Sequence, residues 1–335
     1  MNDLAVIVVS TNEAHWLEPC LRTVYERAGA IDLDVVVADN RSTDGTRELV
    51  ESRFPNARVV TCENRGFAHA NNRGLMTCNA RYVVFLNPDT EILEGTFEDL
   101  VRALDLRPSV GLVGVKQVCP DGTLSPTMRR FPNALRALCE ALGSERFPVR
   151  AAWLGERELR MERYDEELAC DWTSGSFMLA RREAIESAGF MDERSFIYSE
   201  EPDLCFRMKQ AGWDVRHLPL MTILHHADKA GVKPKMAAQD AYSRLQHARK
   251  HFSRPHRAAY AAAICLRYIL RLLLPRGDRE TRAQRRVAAL RALRTVLGRE
   301  APPFGTPPGQ AVAIRRQPGA PPVLAAGPLV RRPAN

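Results

Sequence analysis

The sequence predicts an α/β fold built on a mainly parallel sheet with helices on its faces. Three observations lead to this prediction. Apolar residues make up 45% of the 335-residue chain, short β-branched runs alternate with helical stretches, and each helical stretch is long enough for a crossover. Such a chain is large enough to bury a sizeable core and to carry appendages beyond one domain.

The first third of the chain contains five predicted strands separated by four predicted helices. The strands are residues 4–9, 34–38, 58–61, 82–86 and 110–118, and the helices are residues 13–27, 46–53, 67–77 and 96–106. Ligands of parallel sheets bind at the carboxyl ends of the strands, so we expect the loops after these strands to carry the chemistry.

The alternation of strands and helices breaks after residue 118. Residues 119–170 contain four prolines and a charged stretch, which predicts a long connection with one or two helices. Residues 172–213 predict a strand at 177–180 and two helices. A strand pair around 215–224 and a helix at 236–252 follow, so we expect the compact domain to span residues 1–253.

The C-terminal residues differ from this domain in charge. Residues 1–253 hold 32 Lys and Arg against 37 Asp and Glu, whereas residues 254–335 hold 16 arginines against three acids. We predict a basic, amphipathic helical extension at 254–300 and disorder in the Pro-, Ala- and Arg-rich residues 301–335. Arginines favour a phosphate-rich partner, and the scarcity of aromatic residues favours an anionic membrane surface over nucleic acid.

Residues 258–274 are strongly apolar but are interrupted by Arg267 and Arg271, which share one helical face. A helix that spans a bilayer needs about 20 mostly apolar residues. Two interpretations stay open: a helix that lies in the membrane plane, and a helix packed on the domain with its arginines in solvent.

The cysteines and the N-terminus bear on localisation. The eight cysteines are scattered without metal-ligand spacing, and the N-terminus has an acid and no basic region before a short apolar run. These features predict reduced thiols and no signal peptide. We therefore expect a cytoplasmic protein. The basic extension and the helix at 258–274 suit a peripheral position at the inner face of the cell membrane.

The loops after the first two strands are the candidate nucleotide site. No G-x-G-x-x-G motif or Walker loop follows the first strand, where the sequence is V-V-S-T-N-E. Side chains would then have to hold a nucleotide. Asp39 and Asn40, at the end of the second strand, offer a carboxylate to a nucleobase N–H and an amide to a ribose.

The loop after the fourth strand is the candidate metal site. Its sequence, N-P-D-T-E, places Asp89 at the carboxyl edge of the sheet. A divalent cation that bridges a diphosphate needs only one or two protein oxygens, and His225 becomes a natural further ligand if Asp89 holds a metal. The alternatives are an ordinary Asn-Pro-Asp turn and a histidine that serves in packing.

Three acids, Glu200, Glu201 and Asp203, lie at the start of a predicted helix, close in sequence to Tyr198 and Trp172. Acids in a first helical turn complement the helix dipole, which accounts for one of them. The cluster also suits a carboxylate that takes a proton from a bound substrate. The local pattern leaves capping and catalysis open.

Six motifs, taken in order, resemble those of the family 2 glycosyltransferases with the GT-A fold. The resemblance is strongest to the rhamnosyltransferase-like branch of bacterial cell-wall and surface polysaccharide synthesis, and it covers residues 4–253. The motifs are V-S-T-N-E, V-A-D-N-R-S-T-D-G-T, E-N-R-G-F-A-H-A-N-N-R-G, F-L-N-P-D-T, W-T-S-G-S-F-M-L-A-R-R and G-F-M-D-E-R-S-F-I-Y-S-E-E-P-D-L-C-F-R.

The resemblance implies a role for individual residues. Asp89 corresponds to the surviving acid of the D-x-D metal motif, with Asn87 where the first acid often stands. Glu201 falls where the family has its Asp base, Glu200 is its rival, and Asp203 is a structural companion. Ser195 stands where an aromatic residue is usual. The implied donor-binding residues are Ser10, Thr11, Asn12, Asp39, Asn40, Asn64, Gly66, Asn71, Asn87 and Asp89, and the implied acceptor-binding residues are Trp172, Gly175 and Tyr198.

The resemblance also implies the reaction, an inverting transfer of rhamnose from dTDP-rhamnose to a saccharide or polyprenyl-linked acceptor, with Mg²⁺ or Mn²⁺ held by Asp89 and His225. A UDP- or GDP-sugar donor is the first alternative. A non-catalytic sugar-nucleotide-binding or polysaccharide-assembly scaffold is the second. A nucleotidyltransferase is disfavoured because the glycine-rich phosphate loop is missing after the first strand. The sequence does not define the oligomeric state.

Overall fold

The computed structural model describes residues 1–144, 153–226 and 233–305. The strands are β1 (Asn2–Ser10), β2 (Leu33–Asp39), β3 (Ala57–Thr61), β4 (Ala80–Leu86), β5 (Thr90–Glu94), β6 (Val110–Val118), β7 (Leu168–Ala169), β8 (Phe177–Arg181) and β9 (Asp214–His225). The helices are α1 (Ala14–Glu26), α2 (Thr46–Arg53), α3 (Phe67–Thr77), α4 (Phe97–Asp105), α5 (Ala134–Ala141), α6 (Arg182–Ala188), α7 (Glu200–Gln210), α8 (Pro234–His251), α9 (Arg254–Leu273) and α10 (Arg279–Val296).

One mixed sheet organises the N-terminal part of the chain, in the order β3-β2-β1-β4-β8-β6-β9-β5, with β7 paired to β9. The first four strands in this order are parallel, whereas β8 runs antiparallel to both β4 and β6. Valine, isoleucine and leucine fill the central strands because both faces are covered by helices, and two buried clusters lie on the two sides. The predicted mixed, mainly parallel α/β fold is confirmed.

Two strand predictions need correction. The segment expected to form a strand pair around residues 215–224 is one strand, β9, whose pairing with β6 shifts register twice. Pro219 lies inside this continuous strand. β5 was not predicted; among the described residues it is an edge strand paired with β9 alone, and it begins at Thr90, directly after the Asn-Pro-Asp turn.

Buried hydrogen bonds and ion pairs hold the described part of the 119–170 connection in place. Tyr164 is buried, and its hydroxyl accepts from the Met128 N–H and donates to the Glu158 carbonyl. The Glu158 carboxylate pairs with Arg130 at 2.6 Å and Arg160 at 2.7 Å. This network fixes the chain next to Trp172, whose indole N–H donates to the Arg130 carbonyl at 3.0 Å.

The C-terminal helices α8, α9 and α10 pack on one another, and α9 also packs on α5. Their shared core is made of alanines together with Tyr260, Ile264 and Tyr268. Arg267 is not in solvent as one interpretation held, since it is largely buried and pairs with Glu140 at 3.1 Å. The opposite side of α9 keeps Ile269 and Leu273 exposed at 39% and 64%.

Several predictions about the extension are not decided by these contacts. The domain limits at residues 253 and 300 stay predictions, and most of the predicted disordered tail, residues 306–335, lies outside the described residues. Within the described ranges, no helix combines the length and the apolar content needed to cross a membrane. All eight cysteines are free thiols.

We expect Glu158→Gln to lower the free energy of unfolding at pH 7 by about 3 kcal/mol, because it breaks a buried multi-arginine ion pair. Burial alone would raise the pKa of Glu158, but hydrogen bonds from Arg160 and the charge of Arg130 lower it from 4.5 to about 2. The stabilisation is therefore complete above pH 4.5 and is lost as the pH falls towards 2.

Chemical denaturation of both proteins between pH 7 and pH 3 measures this difference. The two stabilities should converge as the solution is acidified. Glu162→Gln, an exposed glutamate of the same segment, is the control and should leave stability unchanged. A constant difference between wild type and Glu158→Gln across this pH range would contradict the assignment.

Candidate active site

The carboxyl ends of β1 and β2 meet at one edge of the sheet. Ser10 pairs in register with Asp39, and the Asn40 N–H donates to the Ser10 carbonyl at 2.9 Å. Ser10, Asp39 and Asn40 are all buried, and the Asn40 side-chain oxygen accepts from the Cys62 thiol. The Asp39 Oδ1 accepts from the Ser42 N–H, which closes the turn after β2.

The loops that follow β1 and β2 are linked to each other. Asn12 has a left-handed backbone with φ of 57°, and its side-chain oxygen accepts from the Thr43 N–H at 2.7 Å. The Ser42 hydroxyl accepts from the Asn12 N–H in return. Asn12 therefore shapes the loop after β1, while Thr11, its neighbour, is half-buried at the same edge.

The segment before α3 is held by close backbone contact. Gly66 has φ of 108°, and a Cβ there would lie 2.0 Å from the Phe196 carbonyl oxygen, so only glycine fits. Asn71 is fully buried; its amide donates to the Phe67 carbonyl, and its Oδ1 has no partner among the described residues. Asn64, in contrast, is exposed.

Asp89 and His225 are brought together although 136 positions separate them in the chain. His225 Nε2 lies 3.2 Å from Asp89 Oδ1 and 3.4 Å from the Asn87 amide nitrogen. Both side chains are largely buried but not sealed from solvent, at 17% and 15% exposure. The register between β5 and β9, which pairs Thr90 with His225, creates this contact.

Two polar residues next to His225 were missed by the sequence analysis. Gln117 of β6 lies 3.0 Å from His225 Nδ1, and its side-chain oxygen accepts from the Ser176 hydroxyl. The signal in the sequence was a glutamine, next to Lys116, near the end of a strand whose other residues are apolar. Partners of this kind fix the tautomer and orientation of a metal-binding histidine.

Glu13, the last residue of the V-S-T-N-E motif, was also not assigned to the site. Burial, followed by the negative charge of Asp89, raises the pKa of Glu13 to about 7. The two carboxylates are therefore close enough to repel each other at this edge. Such a site is electronegative and favours a bound cation.

Glu201 faces the chain that leads into β8. Its Oε1 accepts from the Gly175 N–H at 3.2 Å, and a Cβ on Gly175 would lie 2.6 Å from that oxygen. Burial raises the pKa of Glu201, and the positive charge of Arg129 opposes this rise. A half-buried carboxylate with a raised pKa is suited to accept a proton.

Glu200 has a different environment from Glu201. It is buried, and its Oε2 has no hydrogen-bond partner among the described residues. Burial, followed by the charge of Glu201, raises the pKa of Glu200 well above its usual range. It lines a cavity of about 210 Å³ together with Asp203 and His247, and Ser195 lies on the same cavity wall.

Asp203 is held by cations. Its Oδ1 lies 2.7 Å from both Lys250 Nζ and His251 Nε2, and its Oδ2 pairs with Arg207 at 2.7 Å. Burial alone would raise the pKa of Asp203. The hydrogen bond from His251 and the positive charges of Arg207 and Lys250 outweigh that effect and hold the pKa well below its usual range.

Asp203, His247 and His251 place three potential metal-ligand atoms within 4.8 Å of one another. A metal ion there would have to compete with Lys250 and Arg207 for both carboxylate oxygens. Burial lowers the pKa of His247 to about 3, so this ring is neutral at pH 7. We interpret the group as an ion-pair network that anchors α7 to α8 rather than as a metal site.

Tyr198 and Trp172 flank the acids. Tyr198 and Ser199 have left-handed backbones with φ of 73° and 71°, an uncommon conformation for non-glycine residues that is frequent at functional sites. Burial raises the pKa of Tyr198 to about 12. The Arg129 guanidinium lies 5.2 Å from the centre of the Trp172 ring, so that face of the ring is covered.

The β4–β8 pairing joins the two halves of the site. The Asn87 N–H donates to the Ser176 carbonyl at 3.0 Å, next to the Gly175 N–H that binds Glu201. The Asp89–His225 pair and the Glu201 carboxylate therefore lie on two sides of one short segment. The structure brings together the residues predicted for metal, base and acceptor, and leaves Asp203 in a separate network.

Comparison with known proteins places the chain in a family. Residues 5–187 match the sequence profile of Glycosyl transferase family 2. The chain is 33% identical over 235 residues to an N-acetylglucosaminyl-diphospho-decaprenol L-rhamnosyltransferase of Mycobacterium tuberculosis, covering 67% of this chain and 76% of that protein. It is 23% identical over 238 residues to rhamnosyltransferase WbbL of Escherichia coli K12, covering 66% of this chain and 83% of that protein.

Solved structures of the same fold are more distant in sequence. A mannosyltransferase from Pyrobaculum calidifontis, in complex with GDP-Man and Mn²⁺, is 19% identical with a TM-score of 0.53, and 87% of each chain is covered. GalNAc-T7 with UDP, GalNAc and Mn²⁺ is 14% identical with a TM-score of 0.59, covering 89% of this chain and 56% of that one. With its GT-A fold and the match to more than half of its length, the chain belongs to glycosyltransferase family 2.

Proposed function

We propose that this glycosyltransferase moves rhamnose, with inversion, from dTDP-rhamnose to a lipid-linked saccharide. The observation that carries the proposal is the half-buried Glu201 carboxylate, whose pKa is raised, beside the segment that also contacts the Asp89–His225 side of the site. The two relatives, both named rhamnosyltransferases, support the choice of sugar. UDP- and GDP-sugars are the runner-up donors.

Glu201 acts as the general base in this proposal. It takes the proton from an acceptor hydroxyl, whose oxygen attacks the anomeric carbon while the bond to the nucleoside diphosphate breaks on the opposite face. A single displacement of this kind inverts the anomeric configuration. The Gly175 N–H holds the Glu201 carboxylate in place, and Arg129 favours its ionised form.

The residues at the sheet edge fit a divalent cation. Asp89 and His225 offer one oxygen and one nitrogen ligand 3.2 Å apart, and Glu13 adds negative charge close by. A metal at His225 Nε2 would require the proton at Nδ1, and the Gln117 amide can turn to accept it because Ser176 can accept from the amide nitrogen. A bound Mg²⁺ or Mn²⁺ would stabilise the charge of the leaving diphosphate.

The nucleotide in this proposal lies at the ends of β1 and β2. Asp39 accepts from the base, Asn40 contacts the ribose, and the loop of Ser10, Thr11 and Asn12 closes around them. Asn71 supports the same side, since its buried Oδ1 has no partner among the described residues. Asn64, Gly66 and Asn87 complete the proposed donor residues, and Trp172, Gly175 and Tyr198 line the proposed acceptor side.

We also propose a cytoplasmic protein that is peripheral at the inner face of the membrane, with a catalytic domain at residues 1–253 and an extension at 254–300. Exposed apolar side chains support the membrane contact. Ile269 and Leu273 share one face of α9, and Leu135 and Leu138 of α5 are exposed together with Leu142, which follows the helix. Arginines of the extension would add attraction to anionic lipid.

The base assignment predicts different outcomes for two adjacent isosteric substitutions. Glu201→Gln should lower kcat by about 10²- to 10⁴-fold, the usual contribution of a general base, with unchanged donor affinity. Glu200→Gln is the matched control and should keep most of kcat, because Glu200 faces the smaller cavity. The rate of sugar transfer from dTDP-rhamnose in a single turnover is measured for both variants. Full activity of Glu201→Gln would exclude it as the base.

The metal assignment predicts that dTDP binds more tightly with Mn²⁺ than with a chelator, as measured by calorimetry. Asp89→Asn should remove that difference, since it takes away the anionic ligand. His226→Asn is the control, because His226 pairs with Glu91 and stacks on Trp16 instead. If none of dTDP, UDP and GDP binds under either condition, the scaffold function replaces the catalytic one.

The membrane assignment predicts weaker binding of the double variant Ile269→Ser, Leu273→Ser to vesicles that contain anionic lipid. Loss of two partly inserted apolar side chains should reduce the partition coefficient by about tenfold or more. Leu106→Ser, at a leucine 81% exposed beside α4, is the control. Flotation assays that show equal binding of all three proteins would refute the membrane role of α9.

A further inference from the structure

A large cavity lies between α5, the segment at residues 155–159 and the C-terminal helices. Its volume is about 820 Å³, and seven arginines and two glutamates are among its lining residues. This cavity is separate from the sheet edge that carries Asp39 and Asp89. The excess of arginine over glutamate makes its wall strongly positive.

The inner wall of the cavity holds arginines that are largely removed from solvent. Arg244 is satisfied by Glu156 at 3.0 Å and Asp240 at 3.1 Å. Arg129 and Arg267 are different, since the Nε of each is buried without a partner among the described residues. A buried donor without an acceptor costs free energy, so a ligand that supplies acceptors would be bound favourably there.

The rim of the cavity adds three exposed arginines, Arg271, Arg276 and Arg285, at the end of α9, in the turn and on α10. None of the three makes an ion pair within the part of the chain that the structure describes. Arg271 lies over the Tyr268 ring, with the charge of Asp240 acting on it, and Arg285 donates to the Arg276 carbonyl. Guanidinium groups without an ion-pair partner are suited to phosphate oxygens.

The cavity mouth is also apolar. Leu142 and Leu274 both line the cavity and are 59% and 70% exposed. Exposed leucines next to exposed arginines match an amphiphile that has an anionic head and a hydrocarbon tail. A free nucleotide or free pyrophosphate would make no use of the leucines.

Arg129 connects the cavity to the candidate base. It lines the cavity, its guanidinium covers the Trp172 ring at 5.2 Å, and its charge favours the ionised form of Glu201. An anion in the cavity is therefore one residue away from the acceptor side.

We propose that this arginine-lined cavity binds the diphosphate of a polyprenyl-diphosphate-linked acceptor, whose sugar reaches Glu201 and whose tail leaves between Leu142 and Leu274. The inference rests on the proposed function, because it assumes that the acceptor is lipid-linked. It adds the location of the acceptor diphosphate and makes the extension a wall of the acceptor site.

Calorimetry of the full chain with farnesyl diphosphate as the probe tests the proposal. The triple variant Arg271→Gln, Arg276→Gln, Arg285→Gln should raise the Kd for farnesyl diphosphate by at least about tenfold, since each lost arginine removes charge-assisted contacts. The matched control is Arg279→Gln, Arg286→Gln, Arg294→Gln, which removes the same charge from exposed positions of α10 outside the cavity. This control should keep the wild-type Kd.

Two further titrations separate the sources of the signal. Inorganic pyrophosphate should bind more weakly than farnesyl diphosphate, and an excess of dTDP should not displace farnesyl diphosphate. Equal affinity for pyrophosphate would overturn the lipid part of the proposal, and displacement by dTDP would place the diphosphate in the donor site instead. If the two triple variants weaken the binding of farnesyl diphosphate equally, the effect comes from the overall positive charge, and the cavity assignment is wrong.

The result is distinguishable from a failure of the proposed function. If dTDP binding and sugar transfer persist while farnesyl diphosphate binds no worse to the cavity variant, the function stands and the cavity assignment is wrong. If no nucleotide binds, and only the cavity variant loses the binding of farnesyl diphosphate, the cavity assignment is supported and the proposed donor chemistry is wrong.

Discussion

The antiparallel pairing of β8 with β4 is the constraint on which the site depends. β1, β2 and β4 end at one edge of the sheet, and a further parallel strand would begin at the opposite edge. Because β8 runs the other way, its entry segment arrives at the same edge, where the Ser176 carbonyl accepts from the Asn87 N–H. The residues before β8, including Gly175, are thereby placed at the edge where β1, β2 and β4 end.

Charge burial is the second organising feature. Two adjacent glutamates begin α7, where the helix dipole favours anions, yet burial raises the pKa of both. Asp203, three residues after Glu200, shows the opposite behaviour because Arg207, Lys250 and His251 surround it. Asp203 therefore stays ionised, whereas Glu200 and Glu201, within the same helical turn, bind a proton more readily than exposed glutamates do.

Elements whose limits are set by neighbouring residues could be predicted from the sequence. The limits of α2, α3 and β6 match their predictions, since β-branched runs and helix starts are read from neighbouring residues. Contacts between distant segments were not accessible in this way. The role of Gln117 depends on the pairing of β6 with β9, and the position of Arg129 depends on pairing with Trp172 and residue 157. The continuity of β9 through Pro219 is also not a local signal, because proline within a sheet is usually confined to edges or bulges, and β9 shifts register against β6.

The composition of the extension follows from two demands on the same helices. Small alanines on the inner faces of α8, α9 and α10 let the helices approach closely, and the tyrosines fill the remaining space. The arginines of these helices lie outside this core. Some of them line the cavity, and others lie on the outer surface. Lysine would satisfy a general attraction to anionic lipid equally well, since that attraction depends on charge. Residues 254–300 contain arginine and no lysine, whereas α8 carries Lys235 and Lys250. Arginine supplies planar, multidentate donors, which are an advantage where phosphate oxygens are bound at defined positions.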